Sequence, residues 1–362
     1  MSPTSRIFLS PPFVDADERA AVARAFDSGY IAPCGPQVDE FERRLARLAG
    51  RKYAVAVSSG TAAIDLLMEE LRVGPETLVI APTLTFVATV GPAWHRGAKL
   101  AFVDCDATGN LDVARLAEAL AALKGTARRT VVIGVDLYGR CCDTAAIAKL
   151  CRTYRATFIC DSAEAVGAKG AGKAGLASVF SFNGNKIVTT SGGGAILTDA
   201  KGLADRARKR SQQSREPFPW YQHKEVGYNY RLSNLLAAVG LAQLRKLPMI
   251  LKKRRANAAF YAAHRGAIDG FLPPVPGENH WLTVALMKNR RERDALLRRL
   301  AAANVEARPV WKPMHLQPVF AKCPHFGGAV AEDLFARGIC LPSGTGLSSA
   351  DLRRIAEVIS KV

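Results

Sequence analysis

Lys186 stands in a polar turn, Ser-Phe-Asn-Gly-Asn-Lys at 181–186, directly after an apolar run from Ala177 to Phe182 that predicts a buried strand. A lysine so placed can condense with an aldehyde. Upstream, a second apolar run, Phe-Ile-Cys-Asp at 158–161, ends in the carboxylate of Asp161. An amine that forms a Schiff base and an acid that keeps a pyridine nitrogen protonated are the pair that pyridoxal phosphate chemistry requires. Glu164 follows on the same side, within reach of a ring oxygen, and Phe86 can stack on a ring. Ser59, Gly60 and Thr61 join a predicted strand to a predicted helix, where backbone N–H groups and hydroxyls make a phosphate cradle.

Each of these residues also has a plainer reading. Turn lysines are commonly solvated, and an aspartate after a strand commonly caps the next helix. Glu164 can complete such a cap, Ser58 to Ala63 can be an ordinary helix start, and Phe86 can be core. The short polar residues around Lys186, with Asp161 upstream, favour the chemical reading. Gly192 to Gly194 lack the spacing of a nucleotide-binding loop and predict a tight turn where backbone passes close to the lysine turn.

The elements that must hold these residues are legible from about residue 50 onward. Apolar runs at 53–57, 78–80, 100–103, 130–133 and 157–160 alternate with helical patterns such as 62–71 and 112–123. Short β-branched runs separated by helices predict an α/β fold with a mostly parallel sheet covered on both faces. Residues 211–224 read as a loop, Ser233 as the cap of a helix from Asn234 to Leu244 or beyond, and a Lys/Arg-rich helix follows. Prolines at 273, 274 and 276 mark a change of character, after which strand, helix, strand and a last helix opened by the capping box Ser348 to Asp351 predict a small α+β domain. The expected division is 1–245, with an N-terminal arm, and 246–362.

The 362 residues, 49% of them apolar, suit a well-cored protein, and no run is long enough to span a membrane. No secretory signal and no zinc spacing among the 8 cysteines point to a cytoplasmic chain with reduced thiols and no metal. The net charge of +18 lies in short basic runs at helical spacing, without a nucleic-acid motif, and suits attraction of anionic small molecules better than nucleic acid.

Taken together, the motifs resemble the DegT/DnrJ/EryC1/StrS sugar-nucleotide aminotransferases, which are fold-type-I pyridoxal-phosphate enzymes. The resemblance runs nearly end to end: Phe-Leu-Ser-Pro-Pro at 8–12, Tyr-Ile-Ala-Pro at 30–33, Ser-Ser-Gly-Thr-Ala-Ala at 58–63, Pro-Thr-Leu-Thr-Phe-Val-Ala-Thr at 82–89, Asp-Leu-Tyr-Gly at 136–139, Asp-Ser-Ala-Glu-Ala at 161–165, the stretch 181–194, Gly-Tyr-Asn-Tyr-Arg-Leu-Ser-Asn at 227–234 and Arg-Pro-Val-Trp-Lys-Pro-Met-His at 308–315. It implies that Lys186 bonds the cofactor and shuttles protons, that Asp161 pairs with the ring nitrogen, that Glu164 approaches the ring hydroxyl and that Phe86 stacks. It implies that Ser59, Gly60, Thr61 and Ser181 hold the phosphate, and that Asn229 reaches it from the other subunit of a homodimer whose active site is shared across the interface. Gly29, Tyr30, Ile31, Ala32, Asn183, Arg231, Arg308 and His315 are the residues it suggests for a nucleotide-sugar pocket, arginine forks suiting a diphosphate.

Within the family, the wording around Lys186, the Phe-Leu-Ser-Pro-Pro opening and Gly-Ile-Cys-Leu-Pro-Ser-Gly-Thr at 338–345 are most similar to enzymes that aminate C4 of UDP-2-acetamido-2,6-dideoxy-hexos-4-ulose on the route to bacillosamine-type sugars. L-Glutamate is the implied donor and pyridoxamine phosphate the intermediate form of the cofactor. The alternative is the same chemistry on GDP-4-keto-6-deoxymannose, giving GDP-perosamine, or on a dTDP-ketosugar. The retained lysine disfavours the family's sugar dehydratases, which carry histidine there. Two stretches depart from the family pattern by being short, 170–175 and 270–281.

Overall fold

A computed structural model describes residues 5–360. The large sheet contains eight strands: β1 (Tyr53–Val57), β2 (Thr77–Pro82), β3 (Lys99–Val103), β4 (Arg129–Val135), β5 (Thr157–Asp161), β6 (Ala177–Ser181), β7 (Gly194–Thr198) and, from far downstream, β11 (His325–Phe326). Their order is β1-β7-β6-β5-β4-β2-β3-β11, parallel except for β7, which runs against both neighbours. The strands' β-branched residues alternate between two cores, as the pleat requires. Val131 and Ile133 of β4 join Val79, Ile159, Val179 and Ile64 on one face, while Val132 between them joins Ile80, Phe158, Leu116 and Ile147 on the other. Helices Gly60–Glu70 and Lys201–Ser211 cover the first face, and Val113–Ala122 and Thr144–Thr153 cover the second.

The expected loop at 211–224 carries only isolated bridges, and Ser233 does cap a helix, its Oγ accepting the Leu236 N–H at 3.3 Å. That helix is a single 30-residue rod, Asn234–Ala263, continuous through Pro248. Pro248 has no N–H for the helical ladder, but its neighbours Leu247 and Ile250 are buried in the core that also takes in Phe41 and Leu45. Residue 245 therefore lies inside a helix and not in a linker.

The small sheet is antiparallel, in the order β10 (Arg308–Pro309), β12 (Gly338–Leu341), β9 (Thr283–Leu286), β8 (Gly270–Phe271). Its core of Leu296, Leu300, Ile339, Leu341, Ile355 and Ile359 also takes in Ile7, which bridges to Val305. The N-terminal arm thus packs on the C-terminal sheet before crossing to the large one. The helix Ser349–Ser360 opens on the expected box, with Asp351 N–H donating to Ser348 Oγ at 3.1 Å and Ser348 N–H to Asp351 Oδ2 at 3.0 Å. No helix among the described residues is long and apolar enough to cross a membrane.

Candidate active site

The carboxyl ends of β1, β2, β5 and β6 meet at one edge of the large sheet, the place where open α/β sheets collect ligands. There they frame a cleft of about 290 Å³. Ser59, Gly60, Thr61, Phe86, Asp161, Glu164, Ser181, Asn183 and Lys186 all line it. The turn after β1 starts the Gly60–Glu70 helix, where Ser59 Oγ takes the Ala62 N–H at 3.0 Å and leaves the first N–H groups without intrahelical acceptors. A Cβ on Gly60 would fill this corner, at 3.1 Å from Ser181 Cβ. Gly194 faces the same turn, and any side chain on it would meet the Ser59–Gly60 backbone at 2.5 Å. The glycine turn therefore makes its close approach at the helix N-terminus.

Asp161 is buried at the end of β5. Its Oδ2 accepts the Thr89 hydroxyl at 2.7 Å and its Oδ1 the Ala163 N–H at 3.1 Å, and Thr85 in turn lies 2.8 Å from Thr89. Burial raises its pKa, opposed by the two hydrogen bonds and by the charge of Lys186. Next to it, Asp136 accepts the Ser162 hydroxyl at 2.6 Å and the Cys142 N–H at 3.0 Å, which fixes the chain as it leaves β5. Glu164 Oε2 accepts the Tyr138 N–H at 2.7 Å, while Oε1 lies 3.2 Å from Lys186 Nζ. Burial raises its pKa as well, with Lys186 pulling the other way.

A buried carboxylate without a cation is costly, and among the described residues Asp161 has no ion-pair partner. An amine, an unpaired carboxylate, an exposed phenyl ring (Phe86, 56% accessible) and a helix N-terminus with flanking hydroxyls fit pyridoxal phosphate. A profile of the DegT/DnrJ/EryC1/StrS aminotransferase family matches residues 12–360. The chain belongs to that family.

EpsN of Bacillus subtilis, named as a pyridoxal phosphate-dependent aminotransferase, is 42% identical over 98% of this chain and 95% of its own. GDP-perosamine synthase of Caulobacter vibrioides is 35% identical over the whole of both chains. The structure of Helicobacter pylori PseC, an aminotransferase involved in the biosynthesis of pseudoaminic acid, superposes with a TM-score of 0.89 at 25% identity, covering 99% of each chain. The chain is a pyridoxal phosphate-dependent sugar aminotransferase with the fold-type-I architecture.

The remaining expected residues lie elsewhere. Arg308 lines a vestibule of about 730 Å³ that shares Phe86, Asn183, Trp281 and Trp311 with the cleft. Its side chain is 70% accessible and pairs with Glu306 at 3.0 Å. Ala32, Asn229 and Arg231 line a separate groove, with Gly29, Tyr30 and Ile31 exposed just before it. Arg231 is committed within this chain to buried Glu42 and to the Ala56 carbonyl, so its fork is already engaged. His315 lies buried, away from the cleft lining. Its side chain is 3% accessible, held by the Thr83 hydroxyl at 2.6 Å and Glu332 at 3.1 Å, and stacked on His325.

Several cleft residues escaped the sequence reading. Thr89 closes the quoted Pro82 to Thr89 motif and Trp311 sits inside the 308–315 motif, so both were within view. Trp281 follows the proline-marked stretch and gives no local signal.

Proposed function

We propose that this chain transfers the amino group of L-glutamate to C4 of a UDP-linked 2-acetamido-2,6-dideoxy-4-ketohexose. The observation that carries the chemistry is Lys186 Nζ, 3.2 Å from Glu164 in a cleft that also holds the unpaired carboxylate of Asp161. Bound there, pyridoxal phosphate supplies an electron sink for the carbon that loses or gains a proton. Asp161 keeps the ring nitrogen protonated and Glu164 faces the ring oxygen. Gly60, Thr61, Ser59 and Ser181 receive the phosphate, and Phe86 covers the ring. Lys186 removes the proton from the donor's carbon and later returns one to the sugar carbon. The vestibule beside Phe86, walled by Phe8, Trp311 and Arg308, offers the apolar and cationic surface that a sugar diphosphate needs.

The choice of UDP-linked sugar rests on the motifs around Lys186 and at 8–12. A GDP-linked ketosugar is the second reading, favoured by the 35% identity to a perosamine synthase. We infer a homodimer as well. Asn229 lies in a groove apart from Lys186, and the loop before it exposes Tyr221 (81%) and Val226 (94%), surface suited to a second copy. The Asn229 groove of one subunit would complete the cleft of the other.

Lys186→Ala is expected to lose the visible band of the lysine-bound cofactor and at least about 1,000-fold in turnover. Full turnover with the band intact would sink the assignment. Starting from the pyridoxamine form, UDP-2-acetamido-4-keto-2,6-dideoxyglucose should restore the band. Restoration by the GDP-ketosugar alone would select the second reading.

A further inference from the structure

Trp281 is buried, and its indole face lies 4.1 Å from Lys186 Nζ. The ring cannot drift. Its N–H donates to the Asn185 carbonyl at 2.7 Å, so the indole is registered to the peptide that precedes Lys186. Its backbone N–H donates to Asn279 Oδ1 at 2.8 Å, and Asn279 Nδ2 donates to the carbonyls of Glu164 at 2.8 Å and Val166 at 3.0 Å. The Trp281 carbonyl accepts from buried Arg254 at 2.9 Å, and the ring stacks on Tyr138 with centroids 6.3 Å apart. The short stretch at 278–281 therefore ties both neighbours of the amine, carboxylate and indole, into one unit.

We propose that Trp281 is a positioning residue for Lys186. Its indole face, together with Glu164, holds the amine where it bonds the cofactor and recaptures it each time it is released. A lysine stem has four rotatable carbons, and an unheld amine would spend little time in line for attack. The negative face of an indole attracts an ammonium and restricts that freedom. For bonding, the ammonium would first pass its proton to the Glu164 carboxylate 3.2 Å away; the freed amine would then form a C=N bond with the cofactor aldehyde, its two hydrogens leaving with the aldehyde oxygen as water. No oxidant or reductant is involved.

This inference rests on Lys186 being the bonded amine, and the test separates the two. The full chain, freed of cofactor, is given pyridoxal phosphate, and the rate of lysine bonding is read from its visible absorbance. Affinity for pyridoxamine phosphate, which has no aldehyde and makes no bond to lysine, is measured by calorimetry. Trp281→Leu is expected to slow bonding roughly ten-fold while changing pyridoxamine phosphate affinity by less than about two-fold. Trp281→Phe, which keeps an aromatic face, should recover most of the rate. A tetrafluorinated tryptophan at 281, with the shape kept and the π face weakened, should slow bonding as Leu does, and it serves even if Trp281→Leu fails to fold.

Equal losses for both ligands, an unaffected fluorinated chain, or a Phe variant no better than Leu would each overturn the role of the indole face. Absence of any lysine bond in the unaltered chain would instead overturn the assignment of Lys186.

Discussion

Burial raises the pKa of both Asp161 and Glu164 from their ordinary values, yet only Glu164 has an amine beside it. In the cofactor-free chain each keeps its proton to higher pH when folded than when unfolded. The stability they lend is complete below about pH 4 and is lost as pH rises through their raised values. Asp161→Asn removes one such group, so urea midpoints of the cofactor-free variant should fall less between pH 4 and pH 8 than those of the unaltered chain. Equal falls in the two would contradict the assignment of Asp161 as a buried, unpaired acid. At this scale Lys186 and Asp161 were legible because strand ends and polar turns are local patterns. Trp281 was not, since its bond to Asn185 joins residues 96 positions apart and nothing in a short window announces it. The surroundings of His315 were hidden in the same way: its motif is local, but Glu332 and His325, which enclose it, lie outside that motif.

The turn after β4 is built for one visitor. Tyr138 and Gly139 take φ of +54° and +88°, and a Cβ on Gly139 would fall on Asn279 Oδ1. Alanine there must both adopt a left-handed conformation and displace the residue that links Glu164 to Trp281. Gly139→Ala is expected to cost about 3 kcal/mol in urea unfolding and to slow lysine bonding as Trp281→Leu does. A neutral effect would mean that Asn279 can dock elsewhere. Most strands of the large sheet could be read from their unbroken apolar runs, because burial on both faces removes polar interruptions. The unity of Asn234–Ala263 could not, since Pro248 is a local stop signal that the packing of Leu247 and Ile250 overrides. The two-residue strands β8, β10 and β11 carry too little sequence for any periodicity.

Across the whole molecule, the proposed shared site makes a prediction that no single chain can satisfy. Lys186→Ala and Asn229→Ala chains, each impaired alone, should regain about a quarter of full activity when unfolded together and refolded as a mixture. Half the dimers are then mixed, and each carries one intact site. No recovery, with mixed dimers present by mass, would place Asn229 outside the partner's site. The net charge of +18 is spread over helix faces, and only overall attraction of anions follows from it.

The N-terminal arm adds a matter of timing. Leu9 bonds Glu306 across 297 positions, and Ser10 bonds both the Asn185 carbonyl and Arg254, which also holds Trp281 and Thr345. On the ribosome, Leu9 must wait for residue 306, and Ser10 for residues 185 and 254, to leave the tunnel before these bonds can form. Strands β1 to β7 can pair as they emerge, but the seat of the Lys186 turn closes only once residues 254 and 281 have emerged to meet Ser10 and Asn185.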